Sequence, residues 1–182
     1  MIKERETQQK MKELETSRLR LRLFTLEDIE ALGEIVSDPE VMKYLGMGSP
    51  RDTNGAEKTI KTILSHWEKH GFGIWAVEEK KSGKLMGWCG LQHLDKTPEV
   101  EVAYLLDSPH WRQGFATEAA CAVLGYGFEH LGLNRIVAVA RPENVGSYRV
   151  MEKVGMKYER DAHFYGVDVV YYAIRREDFM EI

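Results

Sequence analysis

The stretch SPHWRQGFATEAA, Ser108–Ala120, joins two segments of opposite character. The run VEVAYLL before it is rich in β-branched and aromatic residues, which predicts a strand ending at Leu106. After it, small and apolar residues predict a helix over Gly114–Leu131. The next apolar run, RIVAVA at Arg135–Ala140, is typical of a strand buried on both faces. A helix that connects two neighbouring strands makes them parallel, so this stretch predicts an α/β domain.

The rest of the chain predicts strands and helices in an order that suits one domain. Seven strands are predicted, at Arg18–Phe24, Phe72–Glu79, Lys84–Leu94, Glu99–Leu106, Arg135–Ala140, Tyr158–Tyr165 and Val167–Arg175. Apart from the helix already described, helices are predicted from Leu26 to Val36, over Ser37–Leu45, from Asn54 to His70 and from Asn144 to Val154.

Two pairs of polar residues predict where helices begin, namely Thr25 with Asp28 and Asn54 with Glu57. Short turns between consecutive strands favour antiparallel pairing. We therefore expect one α/β domain (α+β in some classifications) over residues 14–182. Its sheet would be mixed and mostly antiparallel, with seven strands and with helices on both faces. A flexible or helical arm over residues 1–13 would precede it.

Composition excludes several classes of protein. The 182 residues are 43% hydrophobic and 30% charged, with a net charge of −4, which favours a globular chain without the basic footprint of a nucleic-acid-binding protein. No run approaches the ~20 apolar residues of a membrane-spanning helix, and the N-terminal segment lacks the apolar centre of a signal peptide. Cys89 and Cys121 form no metal-ligand pattern, so we expect two reduced core thiols, no metal site and a cytoplasmic protein.

The junction at Gly114 has the composition of an anion-binding site. A helix N-terminus carries unpaired N–H groups and a partial positive charge, and it binds phosphate where the backbone is accessible. Gly114 has no Cβ, Ala116 is small, and Arg112 adds a permanent cation. The stretch is neither a P-loop nor a GxGxxG dinucleotide fingerprint. A lone glycine at such a junction also serves turn geometry alone, so both interpretations stay open at this point.

The same stretch resembles the acyl-CoA-binding motif of the GNAT N-acetyltransferases, Q/R-x-x-G-x-G/A. Gly114 and Ala116 match its last two fixed positions, whereas Trp111 stands where the general motif has Gln or Arg. Tryptophan there is typical of the RimJ/RimL-like branch. Three further segments resemble that branch in the same order, SDPEVMKYLG, GFGIWAVEEKKSGKLMGWCGL and RPENVGSYRVMEKVGM. The resemblance extends from about Glu15 to the C-terminus.

The resemblance implies an acetyl-CoA-dependent N-acetyltransferase whose sheet contains a splayed parallel pair at its centre. It implies that the pantetheine arm of acetyl-CoA extends along the strand at Leu105 and Leu106, where a backbone N–H near Leu105 would polarise the thioester carbonyl. Asn144 would anchor the pantetheine, cap the following helix, or both, and Ser147 would also contact the cofactor. The turn expected to hold the diphosphate comprises Arg112, Gln113, Gly114, Phe115, Ala116 and Thr117.

Glu101 is the candidate catalytic base. The resemblance implies a glutamate at this position within reach of the acceptor amine, directly or through water. Along an alternating strand Glu101 shares a face with Ala103 and Leu105. The alternative is a solvated or salt-bridged strand residue. Glu99 on the same face is a weaker candidate, and His93 is a possible proton relay.

The leaving thiolate also needs a proton. Many members of the family use a tyrosine in the helix after the second splayed strand, but Met151 occupies that position here and has no proton to donate. Ser147 matches the serine of the RimJ/RimL-like motif N-x-x-S, and we expect its hydroxyl to hydrogen-bond the sulfur. The alternative is a serine that merely belongs to the first turns of a helix. Tyr148 would point elsewhere.

The acceptor implied by the resemblance is a primary amine, either a protein N-terminal α-amine or a small-molecule amine. We expect its site between the loop Gly46–Gly55 and the last hairpin, which carries His163, Phe164 and Tyr165. Four aromatic residues belong either to that site or to the core, namely Trp67, Trp75, Trp88 and Tyr104. The loss of the usual tyrosine motivates an alternative function, a non-catalytic acyl-CoA-binding regulatory module. We expect a monomer or homodimer without nucleic-acid or membrane partners.

Overall fold

The alternating and β-branched runs form strands in the computed structural model, which describes residues 13–179. The strands in this range are β1 (Leu14–Glu15), β2 (Leu19–Arg22), β3 (Ile74–Glu79), β4 (Leu85–His93), β5 (Val100–Leu106), β6 (Arg135–Ala140), β7 (Lys157–Phe164) and β8 (Val167–Arg175). The α-helices are α1 (Ile29–Ser37), α2 (Pro39–Met42), α3 (Thr53–His70), α4 (Phe115–Glu129), α5 (Val145–Lys153) and α6 (Arg176–Phe179). Short 3-10 helices lie at Leu26–Asp28 and Ser108–His110.

One mixed sheet contains all of these strands, in the order β1-β2-β3-β4-β5-β6-β8-β7. Every neighbouring pair is antiparallel except β5 and β6, which are parallel. The predicted α/β domain with a mixed, mostly antiparallel sheet is therefore confirmed. The predicted count of seven was one short, because β1 is a two-residue strand that pairs Leu14 with Leu21 and is too short to leave a periodic pattern.

The parallel pair diverges, as the splayed arrangement requires. β4 and β5 are paired along the whole of β5, from Gly87 opposite Leu106 to His93 opposite Val100. Between β5 and β6, by contrast, Glu101 opposite Val137 is the one residue pair within the described chain. The β6-facing edge of β5 therefore has no strand partner towards its C-terminal end. Backbone groups along that edge are available to a ligand.

The connecting helix α4 lies close to the sheet because its contact face is small. Ala119 and Ala120 are fully buried. A Cβ on Gly127 would lie 2.6 Å from Cδ1 of Ile136 and 3.0 Å from Cδ1 of Leu91, closer than packed carbon atoms approach. Any larger residue there would displace the side chains of Ile136 and Leu91. α4 also packs against α5, whereas α1 and α3 pack against each other, with α1 also contacting β4.

Local capping explains where two helices begin. Thr25 and Asp28 form the predicted capping box, and Arg22 also donates to the Asp28 carboxylate at 2.8 and 2.9 Å. The predicted N-cap of α3 was wrong by two residues. Asp52 rather than Asn54 is its N-cap, with Oδ1 accepting from the Gly55 N–H at 2.8 Å.

Three other expectations concern the two cysteines, the N-terminal arm and membrane-spanning helices. Cys89 is buried as predicted, but Cys121 is exposed, because it lies on the outer side of α4; both are free thiols. Residues 1–12, nearly all of the predicted N-terminal arm, lie outside the described residues. Within residues 13–179, no helix combines the length and apolar character needed to cross a membrane.

Candidate active site

A cleft of about 700 Å³ opens where β5 and β6 diverge. The end of β5, the turn before α4 and residues along α5 from Val145 to Lys153 line it, together with α2 and the residues after it. The residues predicted from sequence that line this cleft are Leu105, Leu106, Arg112, Gly114, Phe115, Ala116, Thr117, Asn144 and Ser147. The fold thus brings nine of the predicted residues to one surface, although they come from three separate segments.

The turn before α4 directs backbone N–H groups into the cleft. Arg112 and Gly114 both adopt left-handed backbone conformations, with φ of 60° and 83°. Gly114 is the N-cap of α4 and supplies no capping side chain, so the first N–H groups of this helix lack an intrahelical partner. Such an uncapped N-terminus attracts anions. The left-handed backbone conformation of Arg112 is unfavourable for a residue with a Cβ. Such strained backbone conformations are common at binding sites.

Trp111 and Arg18 fix this turn from two sides. The indole N–H of Trp111 donates to the carbonyl of Leu106 at 2.7 Å, which ties the turn to the end of β5. Arg18 donates to the carbonyl of Gln113 at 3.0 Å, and its guanidinium lies 4.1 Å from the centre of the Phe115 ring. Arg18 was not identified from sequence, because it is 95 residues away from the turn that it supports.

Gln113 does not line the cleft. Its side-chain amide donates to the carbonyl of Pro109 at 2.8 Å, within the same turn. Glu118, in the first turn of α4, accepts from Arg18 at 2.7 Å. Burial raises the pKa of Glu118, but hydrogen bonds from Thr16 and Arg18 outweigh it and hold the pKa at about 2. The Arg18–Glu118 pair therefore stays charged at neutral pH and holds the turn against β2.

Ser147 reaches the cleft beside Tyr104. The Tyr104 hydroxyl donates to the backbone carbonyl of Ser147 at 2.7 Å, and the Ser147 hydroxyl donates to the Tyr104 oxygen at 3.2 Å. Burial raises the pKa of Tyr104, so its phenol is neutral at physiological pH. Asn144 is the N-cap of α5, with Oδ1 accepting from the Ser147 N–H at 3.2 Å. The cap orients the helix turn that carries Ser147, while Met151 is buried in the core.

Glu101 is almost completely buried, with 3% of its surface exposed. It lies at the one residue pair that joins β5 to β6 within the described chain, at the base of the divergence, and it does not itself line the cleft. Gln92 Nε2 donates to Glu101 Oε1 at 2.7 Å, and the Tyr165 hydroxyl donates to the same oxygen. Burial raises the pKa of Glu101 to about 7; the two hydrogen bonds oppose this and the charge of Asp95 adds to it. A carboxyl group with such a pKa can accept or donate a proton near neutral pH.

The turn between β7 and β8 is attached to the turn after β4 above Glu101. The Tyr165 hydroxyl accepts from the Asp95 N–H at 2.9 Å, and the Tyr165 N–H donates to Asp95 Oδ2 at 3.2 Å. Asp95 and Tyr165 both have positive φ, of 47° and 54°. Sequence analysis placed Tyr165 in the acceptor wall, but its contact with Glu101 depends on sheet order. Tyr165 is 41% exposed, so the phenol that contacts Glu101 is itself partly accessible to solvent.

The rival bases are engaged elsewhere. Glu99 accepts from Arg135 at 2.6 Å and from the Tyr171 hydroxyl at 2.7 Å, which makes it part of an ion pair on the sheet. The His93 ring lies 4.7 Å from His70, in a cluster outside the cleft. Of the aromatic residues, Trp67, Trp75 and Trp88 are buried in the core, and Tyr104 lies in the cleft rather than in an acceptor groove.

The cleft has the charge and the backbone geometry that a CoA thioester requires. Four basic side chains line it against two acidic ones: Lys43, Arg112, Arg149 and Lys153 against Glu40 and Glu143. The uncapped N-terminus of α4 suits a diphosphate, and the free edge of β5 suits an amide-containing arm that continues the sheet. These features fit CoA at the residues predicted from sequence. The diverging parallel pair, the uncapped turn before α4 and the buried carboxyl group of Glu101 are the features that the resemblance to the GNAT acetyltransferases predicts.

Comparison with known proteins agrees. A family model described as "Acetyltransferase (GNAT) domain" matches residues 18–157. The "Uncharacterized N-acetyltransferase YoaA" of Bacillus subtilis is 37% identical over 148 residues, which are 80% of this chain and 83% of the relative. A crystal structure of a GNAT-family acetyltransferase from Bacillus anthracis superimposes with a TM-score of 0.79 at 30% identity, covering 91% of this chain and 99% of that one. The chain therefore belongs to the GNAT acetyltransferase family.

One further solved structure has the same fold, and its low sequence identity supports no more than that. It is Mycobacterium smegmatis RimJ in complex with CoA-disulfide, with a TM-score of 0.74 and 21% identity, covering 87% of this chain and 82% of that one.

Proposed function

We propose that the protein transfers the acetyl group of acetyl-CoA to a primary amine, which attacks the thioester directly while both substrates are bound. The observation that carries the proposal is the position of Glu101. This buried carboxyl group, with a pKa near 7, lies where β5 and β6 begin to diverge. Leu105 and Leu106, further along the same strand, line the cleft that suits CoA. A proton acceptor and a donor-binding surface thus belong to the same short strand.

Three segments of the chain would hold acetyl-CoA. The turn from Arg112 to Thr117 presents N–H groups to the diphosphate, and Leu105 and Leu106 present the free edge of β5 to the pantetheine arm. Asn144 supports the first turn of α5 beside it. When bound, acetyl-CoA supplies an activated acetyl group as a thioester. Along β5 the backbone N–H groups alternate between β4 and the free edge. Asp107 donates to Met86 on the β4 side, so the N–H of Leu105 also faces β4, and the N–H of Leu106 rather than Leu105 would polarise the thioester carbonyl.

Glu101 would remove the proton of the acceptor amine, directly or through one water. With a pKa of about 7, Glu101 accepts a proton from an α-amine of pKa about 7.7–8.0 at a cost of roughly 1 kcal/mol. For a lysine of pKa about 10.4 the same transfer costs roughly 4–5 kcal/mol. This difference favours α-amines and small amines of similar pKa as acceptors.

Ser147 would hydrogen-bond the sulfur as the thiolate leaves. Its hydroxyl donates to Tyr104 in the structure, and it lines the same cleft, so a rotation about one bond redirects it. Tyr104, whose hydroxyl donates to the backbone carbonyl of Ser147 at 2.7 Å, would hold this turn of α5 in position. Thiols with a pKa near 8.5 are good leaving groups, so one hydroxyl donor suffices where many relatives use tyrosine.

The acceptor is a protein N-terminal α-amine or a small-molecule amine, within the RimJ/RimL-like branch that the motifs resemble. Support comes from Trp111, which ties the turn to β5, and from the N-x-x-S motif at Asn144. Between the loop Gly46–Gly55 and the last hairpin, Asp95 and Glu101 would attract a cationic amine. Buried Cys89 as a free thiol and use of acetyl-CoA both suit the cytoplasm.

The test measures the melting temperature with and without acetyl-CoA in wild type and in a Gly114→Glu variant. At about 100 times the Kd, ligand binding stabilises the native state by about 2.7 kcal/mol, which raises the melting temperature of a domain of this size by roughly 5–10 °C. We expect this rise in wild type and its loss in Gly114→Glu, because the variant puts bulk and negative charge on the anion site.

Gly83→Glu is the matched control. Gly83 also has positive φ, of 68°, and its Cβ would meet no atom within 4 Å, so the variant carries the same backbone strain away from the cleft. It should keep the ligand-induced rise. Release of free thiol with peptides or small amines then identifies the acceptor. A folded wild type that shows no rise contradicts the proposal, and a rise without thiol release for any amine supports the non-catalytic module instead.

A further inference from the structure

Three histidines meet at the end of the sheet, outside the cleft. His66 and His70 lie one helical turn apart in α3, and His93 is the last residue of β4. The ring centres are 4.5 Å apart for His66 and His70, 4.7 Å for His70 and His93, and 5.7 Å for His66 and His93. One possible ligand atom from each side chain lies within 4.8 Å of the other two.

The ring of His66 is already oriented as in a metal ligand. Its Nδ1 lies 2.8 Å from the carbonyl oxygen of Phe72, which accepts a hydrogen bond only if Nδ1 carries the proton. Nε2 then holds a lone pair, and this atom is buried without a hydrogen-bond partner among residues 13–179. A buried acceptor without a partner is unfavourable unless a ligand satisfies it. Metal-bound histidines usually donate their other N–H to such a carbonyl, which fixes the tautomer.

The surroundings of His66 and His70 favour the neutral state that metal binding requires. Desolvation, followed by the charges of the neighbouring histidines and of Lys69, lowers the pKa of His70. Desolvation lowers the pKa of His66 as well, although the hydrogen bond to Phe72 opposes it.

We propose that His66, His70 and His93 form a binding site for a divalent transition-metal ion of the zinc type. Three neutral imidazoles suit such an ion, with a water molecule completing a tetrahedron. Ligand nitrogens about 2.0–2.1 Å from zinc lie roughly 3.3 Å apart, so the three side chains need to close by about 1.5 Å. Rotation of the side chains of His70, at the end of α3, and His93, at the end of β4, supplies that movement.

The site was not expected from sequence. The expectation of no metal rested on the cysteines, which form no ligand pattern, and His93 is 23 positions beyond His70 in the chain. Binding would join the C-terminal end of α3 to the end of β4. His93 is next to Gln92, which donates to Glu101, so the ion would also stiffen the strand that supports the candidate base. The proposal does not depend on the acetyltransferase reaction.

The test titrates Zn²⁺ into the untagged full-length protein in competition with a chromophoric chelator. Wild type should bind one equivalent, and its melting temperature should rise with Zn²⁺. His70→Gln keeps a polar side chain of similar size at the end of a helix. It should weaken binding by more than about tenfold, since even loss of an outer partner of a metal ligand typically weakens binding 10–100-fold.

His130→Gln is the matched control, since His130 is an exposed histidine that stacks on Tyr126 in α4. It should bind Zn²⁺ as wild type does. The proposal is overturned if wild type binds less than one equivalent, or if His70→Gln and His130→Gln change the affinity equally. Circular dichroism of each variant confirms that the fold is retained, so weakened binding reports on the ligand and not on folding.

Discussion

The hydroxyl of Tyr165, in the turn between β7 and β8, donates to Oε1 of the buried carboxylate of Glu101 on β5. The two residues are 64 positions apart, and the sheet order brings them together. The contact has two consequences. It supplies hydrogen bonding to a carboxyl group that burial would otherwise keep protonated, and it makes the last hairpin part of the site that would receive the amine.

Replacement of Glu101 by Gln should lower kcat/KM by about 10²–10⁴-fold, because the amide keeps the shape but cannot accept the amine proton. The measurement is the rate of thiol release at pH 8 with a saturating donor. Glu99→Gln is the matched control on the same strand. Its carboxylate pairs with Arg135 and Tyr171, away from the cleft, so this variant should keep most of the activity. Similar losses in both variants would contradict the role of Glu101.

The variant Tyr165→Phe should shift the acidic limb of the kcat/KM profile to higher pH. The Tyr165 hydroxyl stabilises the ionised form of Glu101 and so lowers its pKa; without it, burial and Asp95 raise the pKa above about 7. Tyr158→Phe, which removes a hydroxyl bonded to Asp161 on the same hairpin, is the control. Its profile should match that of wild type. If the acidic limb is unshifted in Tyr165→Phe, the Tyr165 hydroxyl does not influence proton transfer at Glu101.

Glu101 should also make stability depend on pH. Its folded-state pKa, about 7, lies above its ordinary value of 4.5, so the native state binds this proton more tightly than the unfolded state. The stability gained is complete below about pH 4.5 and is lost as pH rises through about 7; the total is about 3 kcal/mol. Urea unfolding of wild type and Glu101→Gln at pH 5 and pH 8 measures it. The stability of the variant relative to wild type should rise with pH, and a constant difference would contradict the assignment.

Ser147→Ala should lower kcat by roughly tenfold while KM for acetyl-CoA changes little. The expected loss lies below the range for general acid catalysis, because a thiolate is already a good leaving group. Tyr104→Phe removes the hydroxyl that hydrogen-bonds Ser147, so its effect and that of Ser147→Ala should not add. Ser82→Ala, which deletes a hydroxyl bonded to Glu79 in an exposed turn, is the control. Additive effects would show that Ser147 and Tyr104 act separately.

Much of this architecture was predictable because it depends on local chemistry. Alternation and β-branched apolar runs located the seven longer strands. The junction SPHWRQGFATEAA located the turn before α4, and its match to the acyl-CoA-binding motif, rather than the glycine alone, favoured an anion site there. The error at the start of α3 was also local. Asp52 and Asn54 both suit an N-cap, and only the backbone conformation selects between them.

What the sequence by itself determined is the order of strands and helices, the turn at Gly114 and the candidates Glu101 and Ser147. Each follows from short-range periodicity, from residue types within one turn, or from motifs that resemble a family. Only the tertiary structure decided which distant groups meet. It buried Glu101 beneath Tyr165, placed Arg18 behind the anion-binding turn and brought His93 to α3. These contacts depend on the order of strands in the sheet and on the divergence of β5 from β6, which no local pattern encodes.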